Sequence, residues 1–400
     1  MRCLFLCLLV IFVLLRSIHP TWAISQPPAP SPQPLTPRIP LGLPTSLPIP
    51  QNNPLTREKI DLGRRLFFDR RLSPNDTMSC AMCHIPAQGF TANEARLAVG
   101  INGKTGKRNA PPLYNVAYQR LLFHDGREFT LEDQIISPLT NPVEMGNPSI
   151  GYVVNKIRQL PGYTHAFQAT FGEAPSVATL GQALASYQRT LLSGNAPFDR
   201  WYFGEEEHAV SAEVKAGFEI FAGKGKCFVC HSIGKDAALF TDHQFHNTGV
   251  AHLKLIPEKT VDVDLGGGLQ VQMPRAQIDE ILLMPGSDLG RYEITLDPQN
   301  VWQYKTLSLR NIALTAPYMH NGILLSLEAV IAYYNRGGTG VEGQDERISP
   351  LQLTSTEKQA LLAFLHSLTG DNVDELAQET YPHAALPTRQ GQQHPLTPAY

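Results

Sequence analysis

"MSCAMCHIPAQGF" occupies residues 78–90 and "GKCFVCHSIG" occupies residues 225–234. Each contains Cys-x-x-Cys-His. The chain has six cysteines: Cys3 and Cys7 in an apolar leader, then Cys80, Cys83, Cys227 and Cys230. A structural disulfide set needs cysteines elsewhere. A four-cysteine zinc site is compatible with the spacing but leaves His84 and His231 without a role. A thioredoxin-like redox pair needs no histidine directly after it. Covalent haem attachment uses all three residues, because two thiols add to the haem vinyl groups and the adjacent histidine binds iron. The motifs therefore predict two c-type haems.

Both motifs follow a short helical pattern. In "TREKIDLGRRLFFDRRLS", Thr56 is a cap and Ile60, Leu62, Leu66 and Phe67 give the apolar positions. In "VSAEVKAGFEIFAGKGK", Ser211 is a cap, Val214, Phe218 and Phe221 recur at helical spacing, and Gly223 and Gly225 stop the helix. Further helices are expected over Thr179–Gly194 and after a Thr354-x-x-Glu357 capping box. Val261–Asn300, with several prolines and glycines, reads as loop. The expected fold is mainly α: two cytochrome c-like haem domains, loop-rich, with few short strands.

Four hundred residues favour two domains of ordinary size. The apolar start with Thr21-Trp22-Ala23 reads as a signal peptide over residues 1–23, which implies export to the periplasm. Residues 24–53 are rich in proline and read as a polyproline tether. Residues 54–200 and 201–370 then hold one haem motif each, and 371–400 form a Pro- and Gln-rich tail expected to be disordered. The net charge of −3 and the lack of a basic stripe exclude nucleic acid as a partner.

Seven stretches occur in order around the motifs: "LGRRLFFDRRLSPNDTMSCAMCH", "GKRNAPPLYNVAY", "DGREFTLEDQ", "NPVEM", "APFDR", "FTDHQFHNTG" and "LSLRNIALTAPYMHNG". Together they resemble the bacterial di-haem cytochrome c peroxidases and the MauG-type enzymes, over nearly the whole body of the chain. The resemblance implies that the haem on Cys80 and Cys83, with His84 beneath it, is the peroxide site. Glu144 stands where the family has its catalytic Glu, and Gln134 where it has a supporting amide. The haem on Cys227 and Cys230, with His231, would transfer electrons. The resemblance also implies a calcium ion between the haems, held by the Asn109 side chain and the carbonyls of Thr315 and Pro317, as oxygen donors suit it. His320 is expected in the second haem pocket. His243 and His246 are expected to be structural or near a haem edge.

Two departures matter. The peroxidases carry a His after the first motif that blocks the peroxide iron until the other haem is reduced. Here Ile101 stands at about that position, so the first iron is expected to be open without reductive activation. The peroxidases also place a Trp between the haems, where this chain has His124, either a hydrogen-bonded bridge or a structural residue. The distal ligand of the second haem falls at Tyr334, as in MauG-type enzymes, with Tyr333 as its neighbour and Met319 and Met284 as candidate thioethers. The implied function is reduction of hydrogen peroxide with electrons from a small periplasmic donor protein. The alternatives are peroxide-dependent oxidation of residues in a partner protein and a non-enzymatic di-haem electron carrier. The resemblance also allows a homodimer.

Overall fold

The computed structural model describes residues 33–253, 260–264, 270–274 and 288–378. The leader, most of the C-terminal tail and Met284 lie outside the described residues. In chain order the helices are α1 (Arg57–Phe68), α2 (Leu131–Gln134), α3 (Ile136–Thr140), α4 (Ile150–Gln159), α5 (Tyr163–Phe171) and α6 (Val177–Gln188). They continue as α7 (Pro197–Tyr202), α8 (Ala212–Ala222), α9 (Tyr292–Thr295), α10 (Leu327–Asn335), α11 (Ser355–His366) and α12 (Val373–Ala377). The strands are short: β1 (Phe245–His246) pairs antiparallel with β4 (Tyr304–Lys305), and β2 (Thr260–Asp264) with β3 (Gln270–Pro274).

The caps form where the sequence places them. Thr56 accepts from the Lys59 amide at 3.3 Å and Ser211 from Val214 at 3.3 Å. Thr354 and Glu357 make both bonds of the capping box, at 3.2 and 2.7 Å. α6 starts earlier than expected, at a Ser176 cap, and ends at Gln188.

Two hydrophobic cores organise the chain, one beside each haem motif. Each is built around the same helix crossing. α1 crosses α6 at Gly63, where a Cβ would lie 1.9 Å from the Ala183 carbonyl. α8 crosses α11 at Gly217, where a Cβ would lie 1.9 Å from the Ala360 carbonyl. Only glycine lets the two backbones approach so closely. Four residues beyond each glycine a phenylalanine, Phe67 or Phe221, is fully buried. Four residues beyond each alanine stands a buried ring, Tyr187 or Phe364. The halves are thus a repeat in packing as well as in motif.

Three expectations are corrected. Residues 33–53 are no tether. Leu43 is 2 % exposed, and carbonyls along the segment serve as acceptors: Gly42 for Arg310, Pro44 for Tyr118 and Pro48 for Arg189. Polyproline geometry leaves carbonyls unpaired, and here the body uses them. At the other end the fold continues past Gly370 into α12, where Leu376 joins the first core. Val261–Asn300 is not all loop, since it includes the β2–β3 hairpin and α9. The alternation in "TVDVD" and "QVQMP" was the available strand signal.

Candidate active site

Each Cys-x-x-Cys stretch is a single 3-10 turn, Cys80–Met82 or Cys227–Val229, ending on the second cysteine. The following histidine is half-buried and held in the same way in both halves. His84 Nδ1 is 3.0 Å from the Phe90 carbonyl, and His231 Nδ1 is 2.9 Å from the Phe240 carbonyl. Phe90 and Phe240 are both left-handed, at φ 56° and 51°, which aims their carbonyls at the rings. A carbonyl only accepts, so Nδ1 carries the proton and Nε2 keeps its lone pair for a metal. Burial lowers the pKa of both imidazoles, which favours that neutral form.

The cysteines are not paired with one another, and burial pushes the thiols of Cys80 and Cys227 up to about 12. Cys80 and Cys83 pack on the first core and Cys227 on the second. A zinc site shared by all four is therefore ruled out. These are half-buried thiols each presented beside a histidine with a free Nε2, which is the donor set that covalent haem attachment needs.

The second motif opens on a cavity of about 280 Å³. By the same measure a single water needs roughly 10–15 Å³. Its walls include Cys227, Cys230, His231, Phe221, Met319 and Tyr334. Tyr334 is half-buried, and burial, with Tyr333 and the two cysteines nearby, raises its phenol pKa. Tyr333 points elsewhere: it is fully buried and its hydroxyl donates to the Thr248 carbonyl at 2.6 Å. Of the two tyrosines, only Tyr334 faces the cavity. Beside Cys230, the His246 ring is held between Asp242 at 2.8 Å and Asp345 at 2.9 Å.

The repeat extends to the distal side. The isolated bridge Leu122–Glu128 matches Tyr318–Leu324, and the caps Thr130 and Ser326 follow at the same offset. Eight residues past Ser326 is Tyr334. Eight residues past Thr130 is Pro138. Pro138 lies in the separate helix α3, and the first half has no tyrosine at this count from its cap.

Glu144 is half-buried near this end. Its Oε1 accepts from Asn141 Nδ2 at 2.7 Å, and its charge reaches Cys83. Burial raises its pKa, against the opposing influence of Arg127 and the Asn141 hydrogen bond. Ile101 is 5 % exposed and its amide donates to the Glu144 carbonyl at 2.8 Å. Gln134 is half-buried at the end of α2, one turn from Pro138.

Between the halves Asn109 is a hub. Its amide donates to the His320 carbonyl at 2.6 Å, its carbonyl is 3.0 Å from His124 Nε2, and its Nδ2 donates to the Pro317 carbonyl at 2.6 Å. Its Oδ1 is buried with no hydrogen-bond partner. His124 and His320 occupy matching places in "FHDG" and "MHNG". Burial, with the Arg108 charge, pushes His124 down to about 4, so it is neutral at physiological pH. The His124 ring bonds within its own half, and it is the His124 carbonyl that reaches across, accepting from the Lys305 amide at 2.7 Å. His320 lines the second cavity and stacks on Tyr304 at 3.5 Å between ring centroids. Arg108 holds the junction from outside, bonding Asp288 at 2.7 Å and Asp125 at 2.5 Å. The repeated His-x-Gly was visible in the sequence as a sign of symmetry. Arg108, Tyr304 and the Phe90 and Phe240 carbonyls carry no such signal, because only the fold brings them to the site.

The fold and these two motif sites define a c-type cytochrome with two haem-attachment sites. A family model described as di-haem cytochrome c peroxidase matches residues 57–207. The chain is 37 % identical to the methylamine utilization protein MauG of Methylorubrum extorquens, over 82 % of this chain and 83 % of that protein. It is 34 % identical to the cytochrome-c peroxidase IdrP1 of Denitromonas iodatirespirans, over 82 % of this chain and 86 % of that protein. A solved MauG-like protein associated with microbial copper homeostasis superposes with a TM-score of 0.66 at 31 % identity, covering 88 % of this chain and 97 % of that one. The chain belongs to the di-haem cytochrome c peroxidase and MauG family. It is a peroxidase-type oxidoreductase of that family.

Proposed function

We propose that the peroxide reaction takes place at the His84 haem and that this iron is open without reductive activation. The observation that carries the reading is Pro138, at the place where the second half has Tyr334. The apolar side chain of Ile101 near Glu144 supports it. The haem supplies the iron position at which peroxide binds and which takes up its two oxidising equivalents. Glu144 moves a proton from the near to the far peroxide oxygen, so that the far oxygen leaves as water. Its raised pKa suits both halves of that task. The Gln134 amide supports the bound peroxide, and the neutral His124 ring holds the Asn109 carbonyl at the junction without adding charge there.

With haem bound, Tyr334 would be its anionic oxygen ligand, a donor that favours oxidised iron. Met319 shares the cavity wall and is the ligand this reading displaces. A calcium ion at the Asn109 junction would be held by Asn109 Oδ1 and the Thr315 and Pro317 carbonyls, in place of the bond that Asn109 Nδ2 gives Pro317 here. The buried Asn109 Oδ1 that has no donor supports a hard cation there. Electrons come from a small exported redox protein, and the leader places the chain in the periplasm. A second reading is peroxide-dependent oxidation of residues in a partner protein. The tyrosine facing the second cavity and the likeness to MauG favour it. A simple electron carrier would need a sixth ligand where Pro138 stands.

Low-temperature EPR of the fully oxidised protein tests the central point. A high-spin ferric signal beside a low-spin one is expected. Two low-spin signals would mean that another group closes the first iron and would overturn the open-site reading.

A further inference from the structure

Helices α7, α8 and α11 pack a set of aromatic rings between the second haem cavity and solvent. Tyr202, at the end of α7, is 44 % exposed. Its ring lies 5.3 Å from Phe218, Phe218 lies 5.7 Å from Phe364, and Phe364 lies 4.8 Å from Phe221. Phe221 is part of the cavity wall. A second route is shorter. Tyr202 stacks on Phe198 at 5.1 Å and 18°, and Phe198 is 5.4 Å from Phe240. Phe240 is the residue whose carbonyl holds His231. Both routes run through fully packed rings, with no solvent gap between ring contacts of this size.

We propose that Tyr202 is a surface exit for oxidising equivalents from the second haem pocket. The proposal rests on the peroxidase reading above. Phenylalanine rings are too hard to oxidise to hold a charge themselves, so they serve as packed medium between two oxidisable ends. At the inner end is the haem, and at the outer end is a phenol in contact with water. Each peroxide takes two electrons and two protons from the protein and solvent and becomes two waters. Tyr202 would supply one of those electrons and release its phenolic proton to water, leaving a neutral phenoxyl, and the second electron would come from an external reductant. One electron from an external reductant, with a proton from water, restores the phenol. Glu205 and Glu206 follow on the same exposed turn, and their charge favours loss of an electron there. Trp201 is also near Phe218, at 5.6 Å, but the Lys215 ammonium lies 5.6 Å over its ring. A cation there opposes a positive charge on the indole.

The test uses the haem-loaded protein, hydrogen peroxide and no electron donor. Freeze-quench EPR reads the organic radical, peptide mass mapping reads covalent oxidation, and optical spectra read the haems. Tyr202→Phe and Trp201→Phe both keep a ring in place and leave the fold intact. The expected result is loss of the tyrosyl signal and of oxidised 197–215 peptide in Tyr202→Phe, with both retained in Trp201→Phe. The haem optical change on peroxide addition reports the underlying reaction separately. If that change occurs in Tyr202→Phe and the radical signal is unaltered, the proposal is overturned. Retention of the signal in Tyr202→Phe with its loss in Trp201→Phe would equally overturn it.

Discussion

Glu144→Gln separates chemistry from folding at the proposed peroxide site. The amide is the same size as the carboxylate, and its oxygen still accepts from Asn141 Nδ2, now at 2.7 Å from Glu144 Oε1. The fold therefore loses no hydrogen bond. The effect of the charge on stability has a definite sign. Burial raises the folded-state pKa of Glu144 above its unfolded value. The protonated form is the one the folded chain prefers, so this stability is present below the unfolded pKa and is lost as pH rises through the folded pKa. The neutral amide of the variant would mimic the protonated form at every pH. The variant is thus expected to be as stable as the parent at neutral pH, or slightly more so. The reaction is affected differently. A positioned acid/base group contributes about 10²–10⁴ in rate, or roughly 2.7–5.4 kcal/mol of barrier. Stopped-flow measurement of the peroxide reaction should show that loss in the second-order rate constant. The parent rate should rise with pH through the pKa of Glu144, and the variant should lose this limb. A variant within tenfold of the parent, with the same pH profile, would refute Glu144 as the proton carrier. A parallel fall in stability would show that the side chain is structural.

Tyr334→Phe should remove the low-spin ferric EPR signal of the second haem and leave the high-spin signal of the first unchanged, while Tyr333→Phe should leave both. Arg310 is 3 % exposed and bonds Asp199 at 2.7 and 2.9 Å, the Ala238 carbonyl at 2.6 Å and the Gly42 carbonyl at 2.6 Å. Arg310→Met strands a fully buried carboxylate and should cost about 3–5 kcal/mol in urea denaturation, with the 33–53 segment becoming sensitive to protease. Gly217→Ala drives a Cβ into the Ala360 carbonyl and should cost about 1–3 kcal/mol, whereas Gly106→Ala, with open space around it, should stay within about 0.5 kcal/mol. Calcium removal by a chelator should loosen the Asn109 junction, read as faster hydrogen exchange at the Asn109 amide and restored by added Ca²⁺.

Several features were legible from residue order alone, because they depend on near neighbours. Cys-x-x-Cys-His is a local constellation, and its spacing on one turn fixes which thiols and which imidazole act together. The caps at Thr56, Ser211 and Thr354 are likewise set within four residues, and all three formed. The glycine and phenylalanine of each pre-motif helix could be read as a pair, although not what the glycine was for.

What only the tertiary structure decided is whatever depends on two distant segments meeting. Gly63 and Gly217 are required because α6 and α11 cross there, and no local pattern states which helix will cross. Alignment put Tyr334 ahead of Tyr333, but that Tyr334 faces the cavity is a matter of packing, since adjacent residues on a helix point about 100° apart. Residues 33–53 looked like a tether because their composition forbids helix and central strand. Yet acceptors in Arg310, Arg189 and Tyr118 contacts come from carbonyls that any sequence carries, and so composition could not show that the segment belongs to the body. The sequence determined which atoms can hold haem, and the fold determined how each histidine is held and which tyrosine faces the second cavity.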